Sequence, residues 1–227
     1  WYDFAECRFL RPVTFQTPIK SILWYVGALG YVAMYSKRKL SEPVRGKLLI
    51  DDIENSEYEL GAFSKLIANA DFKILFATIS KKEAARRLDL YLFADKKKYS
   101  RKLVLRAFRI ELQHGIKLYH QLSKKLNVDV FRLAFNILNK YLYYETLFEQ
   151  FKVDYCLSWR DYGSFSIKKD VFKRKGGKAV CAVQRSAHKY RVQSAFIDLD
   201  IYFPLGEWFG DFLQKMKGKF GRIEPIG

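Results

Sequence analysis

Cysteine is scarce, and its spacing carries no motif. Cys7, Cys156 and Cys181 are the three in 227 residues, with no CxxC and no His/Cys spacing suited to zinc. A disulfide framework and a zinc-finger architecture are therefore excluded, and no metal is expected. Reduced thiols in a cytosolic protein are the simplest reading. Glycine is missing where a dinucleotide site needs it. No GxGxxG follows the first β-prone run and no Walker phosphate loop occurs, so an NAD fingerprint is absent and no cofactor is expected. The turn after that run is acidic, Asp51-Asp52, which repels a pyrophosphate rather than cradling it. There is no internal repeat, no low-complexity segment, no basic tail, and no RRM, KH or helix-turn-helix signature.

What the chain has is positive charge and apolar bulk. Forty-one Lys and Arg against 24 Asp and Glu give a net charge of +17, which favours an anionic partner: nucleic acid, an acidic membrane surface or a phosphorylated substrate. The 49% hydrophobic and 17% aromatic content supplies a substantial core and excludes global disorder. The chain starts at Trp1 and ends on Arg222 to Gly227, which reads as a strand cut at its glycine; a fragment of a longer protein is expected.

The uncharged stretch Ser21 to Tyr35, flanked by Lys20 and by Lys37-Arg38-Lys39, is shorter than the roughly 20 apolar residues of a spanning helix. It is rich in Gly and Tyr, and reads as a membrane-surface or packed helix. No small-residue cleavage pattern marks it as a signal peptide. The expected organisation is an N-terminal extension over 1–45 and an α/β domain over 46–227. Lys47 to Ile50 reads as a first strand, Glu57 to Asn69 as a helix, Phe72 to Ile79 as a second strand, and Ser80 as the cap of a basic helix starting at Lys81. Arg87 to Gln150 is helical in pattern, with interruptions near Asp95 and at Asn127-Val128-Asp129. Leu103, Leu105 (or Ala107), Ile110, Leu112 and Ile116 suggest one buried stripe there. The alternative is a membrane-facing surface on which Lys and Arg meet headgroups while aromatics insert.

Three short apolar runs in the last third each stop at a polar cluster. Val153 to Ser158 stops at Trp159-Arg160-Asp161-Tyr162-Gly163. Lys178 to Val183 stops at Gln184-Arg185-Ser186-Ala187-His188. Ile197 to Phe203 stops at Pro204-Leu205-Gly206-Glu207. Short β-prone runs separated by amphipathic segments predict a Rossmann-like parallel sheet with flanking helices. Such sheets bind ligands beyond the carboxyl ends of their strands, where these clusters fall. Leu48–Ile50, Ile74–Ala77, Tyr155–Leu157, Ala179–Val183 and Ile201–Tyr202 are the expected central strands.

The order of the C-terminal elements carries a resemblance. The strand Asp154 to Trp159, the helix Phe165 to Lys175 ended by Gly176-Gly177, the strand leading into Gln184, then Asp198 to Glu207 and the helix Trp208 to Met216 resemble the N-terminal half of GT-B-type glycosyltransferases of bacterial surface-polysaccharide, capsule and glycerophosphate-polymer synthesis. Gln184 matches the Gln of that family's Gln-His-Gly turn, whereas Arg185 replaces His, Ser186 replaces Gly and His188 comes three positions later. The resemblance implies a nucleotide-activated donor held mainly by a second domain beyond Gly227, and a glycan or lipid-linked acceptor. The setting it implies is cytoplasmic, peripheral to the inner face of the cell membrane.

Chemistry then assigns candidate roles. Asp161 is a candidate general base for an acceptor hydroxyl, or the cap of the next helix. His188 is a candidate proton carrier. Arg160 and Arg185 suit a phosphate or carboxylate, and Trp159 or Tyr162 can stack on a sugar face. Asp51, Gln184 and Glu207 complete the substrate-binding set; turn and helix-end roles are open for Asp51 and Glu207. The leading reading is the acceptor-side domain of a glycosyltransferase or polyol-phosphate transferase, inactive on its own. The alternatives are a basic nucleic-acid-binding module and a membrane-bound assembly protein without catalysis.

Overall fold

A computed structural model describes residues 17–34, 36, 42–53, 56–78, 90–92, 99–158, 165–184 and 197–226. The chain divides into two compact units, 1–41 with 96–146 and 42–95 with 147–227. This grouping cuts across a boundary at residue 45.

The second unit is an α/β layer structure. A short parallel pair joins β1 (Val44–Arg45) to β5 (Phe151–Lys152). The main sheet contains β2 (Leu48–Ile53), β3 (Ile74–Thr78), β4 (Leu90–Leu92), β6 (Tyr155–Ser158), β7 (Ala179–Val183), β8 (Asp198–Phe203) and β9 (Lys219–Ile223). Their order is β4-β3-β2-β6-β7-β8-β9, and every neighbouring pair is parallel. All five expected strands lie within these elements. Their sequences are continuous apolar runs because both faces are covered: Leu48, Leu49 and Ile50 are all buried, as are Cys156 and Leu157, and Val180 through Ala182. Cys156 and Cys181 are free thiols inside these strands.

Helices fill the β2–β3, β6–β7 and β8–β9 connections. The expected single helix after β2 is two, α2 (Ser56–Ala62) and α3 (Ser64–Asn69), separated at Phe63, whose ring turns into the core with Leu60. After α3 and β3, the predicted cap at Ser80 and the helix from Lys81 lie outside the described residues.

Two more helices belong to this unit, Phe165–Arg174 and Glu207–Lys215. The first ends at Gly176, whose φ of +89° is left-handed; Gly177 N–H donates to Phe172 O at 3.0 Å. That satisfies a terminal carbonyl in the manner glycine permits.

The first unit is helical in its described residues. It contains α1 (Thr17–Met34), α4 (Arg101–Ile110), a π-helical turn over Glu111–Gly115, α5 (Ile116–Leu126) and most of α6 (Phe131–Gln150). In chain order the helices of the second unit that follow are α7 (Phe165–Arg174) and α8 (Glu207–Lys215). Tyr25 and Leu29 of α1 pack with Val104, Phe131, Ala134 and Leu138. The break read at 127–129 is present: Asn127 adopts φ +53°, and Asp129 caps α6 by accepting from Phe131 N–H at 3.0 Å. The expected buried stripe is only partly right. Leu103, Ala107 and Ile116 pack against the core, while Leu105, Ile110 and Leu112 are exposed. The π turn adds backbone per turn and shifts the phase, so Glu111 and Gly115 occupy the inward positions. Among the described residues no helix is long and apolar enough to cross a membrane.

Candidate ligand edge of the sheet

The strand order runs outward in both directions from β2 and β6, so the topology reverses between them. In open parallel sheets the crevice at the carboxyl ends of such a pair is the expected ligand position. Asp51 of β2 and Ser158 of β6 are register partners at this point. By the two-residue period they share the face of Leu49 and Cys156. Ser158 Oγ donates to Asp51 Oδ1 at 3.0 Å.

Lys168 completes the cluster from α7. It lies three and four residues before Val171 and Phe172, both buried, so it occupies a core-facing position of the helix. Its Nζ donates to Asp51 Oδ2 and to Ser158 Oγ. Lys168 is 1% exposed and Asp51 is 2% exposed. A charge so far from water requires a partner, because desolvation otherwise outweighs every other local interaction. The cluster thus ties the ends of the two reversal strands to the helix that follows β6. Asp51 is placed to anchor those ends from beneath the surface.

Gln184 directly follows β7, the strand beside β6, and is also buried. Its Oε1 accepts from Leu205 N–H at 2.8 Å, and its own N–H donates to Phe203 O at 2.9 Å. Gln184 therefore fixes the turn between β8 and α8. That turn passes through Gly206, at φ +104°, into Glu207 at the first position of α8. Glu207 is exposed there, where the helix dipole favours its charge. Next to it Trp208 is 63% exposed, its ring stacked on Phe212 with centroids 5.5 Å apart. The indole is thus supported by a second ring and open to solvent beside the turn that follows β8. About three strand spacings of 4.8 Å, roughly 14 Å, separate β2 from β8.

Asp161, His188, Trp159, Arg160, Tyr162 and Arg185 lie outside the described residues. In sequence, the first cluster follows β6 directly and the second follows β7. Reading the sequence missed Lys168, Ser158 as a side-chain partner, and Trp208. The available signal for Lys168 was a charged residue in phase with the apolar positions Val171 and Phe172.

Asp198 and Asp200 have a structural role. Both carboxylates sit at the start of β8 and bind the lysines of α7: Lys169 to Asp198 at 2.7 Å, and Lys173 to Asp200 at 3.2 Å. Asp200 also accepts from Val180 N–H at 2.8 Å. Burial lowers the Lys169 pKa, but the hydrogen bond to Asp198 and the charges of Asp200 and Asp198 outweigh it and leave it raised. Among the described residues no group of three His, Cys, Asp or Glu side chains is placed to hold a metal ion. A cleft of about 290 Å³ lined by Arg45, Phe148, Lys152 and Phe172 lies at the opposite, amino end of the strands.

No protein-family model matches the chain, and no curated protein or solved structure matches it. The α/β layers and parallel strand order are consistent with a Rossmann-like fold.

Proposed function

We propose that this chain is the acceptor-side half of a GT-B-type glycosyltransferase or polyol-phosphate transferase of surface-polysaccharide synthesis. The observation that carries the reading is the Asp51–Ser158–Lys168 cluster at the strand reversal. It braces the carboxyl edge between β2 and β6, which supports reading that edge as the ligand position. The sequence that leaves β6 and β7 brings the residue types a transfer to a hydroxyl needs. Asp161 takes the proton of the acceptor hydroxyl, and His188 carries a proton near neutral pH. Arg160 and Arg185 neutralise phosphate. Trp159, Tyr162 and the exposed Trp208 stack on sugar rings, and Gln184 holds the turn that carries Glu207 and Trp208. The nucleotide-activated donor is held mainly by a second domain, and the acceptor is a glycan or a lipid-linked chain at the inner membrane face.

The test is transfer of a sugar or polyol phosphate from a nucleotide-activated donor, measured on the product of the full reading frame. Asp161→Asn should lower turnover by about 10²–10⁴ with little change in melting temperature. Turnover within about threefold of wild type rejects Asp161 as catalytic. A full-length product without transfer to any hydroxyl acceptor rejects the transferase reading.

A further inference from the structure

The first unit carries two surface features that do not serve its core. One is the outer face of α1. Ile19, Leu23, Trp24, Tyr31 and Met34 are exposed, with Ile19 and Leu23 each at 67% and Met34 at 81%. Positions 19, 23, 27 and 31 follow one another at four-residue steps, so this is a single stripe along an 18-residue helix. The opposite face, through Ser21, Tyr25 and Leu29, is already buried in the unit. Trp24 also packs edge-on against Phe135, whereas Ile19, Leu23 and Met34 stay mostly in water, and a protein surface rarely keeps such an apolar stripe without use.

The other feature is the sign of the charge. The described acidic residues of this unit are Glu111, Asp129 and Glu145. Glu111 and Glu145 are buried, and Asp129 is engaged by Ser21 Oγ and Phe131 N–H. Every exposed charged side chain among the described residues of this unit is Lys or Arg, from Lys20 on α1 to Lys124 and Lys125 on α5. Arg132 lies over the Trp24 ring, its guanidinium carbon 5.4 Å from the ring centre, which places a cation beside the apolar stripe.

We propose that the outer face of α1 is an interfacial docking surface for an anionic lipid bilayer. The helix lies in the headgroup plane, Leu23 and its neighbours enter the acyl boundary, and Lys20, Arg132 and the other exposed cations of the unit meet lipid phosphates. Nucleic acid matches the charge, but it has no use for aliphatic side chains this exposed. A bilayer uses both features at once, and Trp and Tyr at the rim suit its headgroup layer. This deepens the membrane setting of the proposed transferase and stands on none of its candidate catalytic residues.

The experiment is co-sedimentation of the full chain with vesicles of phosphatidylcholine, with and without phosphatidylglycerol, at low and high salt. Binding should be stronger with phosphatidylglycerol and should weaken as the Debye length falls from about 10 Å at 0.1 M to about 3 Å at 1 M. Ile19→Glu/Leu23→Glu changes two side chains that are mostly in water, so its melting temperature should match wild type. Its partition should fall at least about tenfold. Lys124→Glu/Lys125→Glu should lose affinity for anionic vesicles only. Equal binding to neutral and anionic vesicles overturns the proposal, as does wild-type partition by the folded Ile19→Glu/Leu23→Glu chain. So does tighter binding to single-stranded RNA that ignores the α1 substitutions. Vesicle binding by a product that transfers no sugar rejects the transferase reading alone; transfer without vesicle binding rejects the docking surface alone.

Discussion

Lys168 and Asp51 form an ion pair almost without solvent, at 1% and 2% exposure, across 117 residues of sequence. Ser158 bridges the same two groups. Lys168→Met leaves the Asp51 carboxylate buried without its cation and should cost about 3–5 kcal/mol of stability. The double change Asp51→Leu/Lys168→Met removes both charges and should recover most of that loss. Urea unfolding measures both. A loss below about 1 kcal/mol for Lys168→Met would show the pair to be unimportant for folding.

The π turn of the helical unit rests on a close approach at Gly115. A Cβ there would fall 2.0 Å from Glu111 Oε2. Glu111 is buried and accepts from Tyr25 Oη at 2.8 Å and from Tyr119 Oη at 3.3 Å. Gly115→Ala must displace that carboxylate from its donors, and should destabilise by about 1–3 kcal/mol. Thermal unfolding of Gly115→Ala checks it, and an unchanged melting temperature would mean that the turn reforms as regular α-helix around the new methyl.

Trp208 offers a test of the ligand edge that the fold tolerates. It is largely in water and supported from one side by Phe212. Trp208→Ala should change stability by no more than about 1 kcal/mol. In the transfer assay that tests the proposed function, it should raise the acceptor KM by roughly tenfold while kcat holds. Unaltered KM would remove Trp208 from the site.

Stability should fall on the alkaline side. Burial pushes the Cys181 thiol up to about 11, with the charge of Asp200 adding to it. Burial and the Glu111 carboxylate push Tyr119 up to about 12. Burial, reinforced by the hydrogen bond to Glu111, holds Tyr25 above its ordinary value, and burial does the same for Tyr99. Each folded pKa lies above the unfolded one. Their stabilisation is therefore complete below the unfolded values of about 8.5 for Cys and 10 for Tyr, and is lost as pH rises through the folded values. Melting temperature should decline from about pH 9 upward, with tyrosinate absorbance rising in step with unfolding. A flat melting temperature up to about pH 11 would contradict this.

The central strands were legible because runs such as Leu48-Leu49-Ile50 and Val180-Cys181-Ala182 bury every residue, and only a sheet covered on both faces asks for that. The helix end at Gly176 and the break at Asn127 were legible because each needs a backbone angle that most side chains resist. The inward positions of the helix through Glu111–Gly115 were not, since a glutamate and a glycine face the core there while Leu112 is exposed, and an apolar pattern alone points the other way. Lys168 in the core was also beyond reach, because a lysine in a helix reads as solvated until a carboxylate 117 positions away is seen to meet it. The order of apolar runs determined the fold class, and composition determined the excess of positive charge. Only tertiary structure decided that the described acids of the helical unit turn inward and its cations outward, because burial is a property of packing between distant segments and not of any one of them.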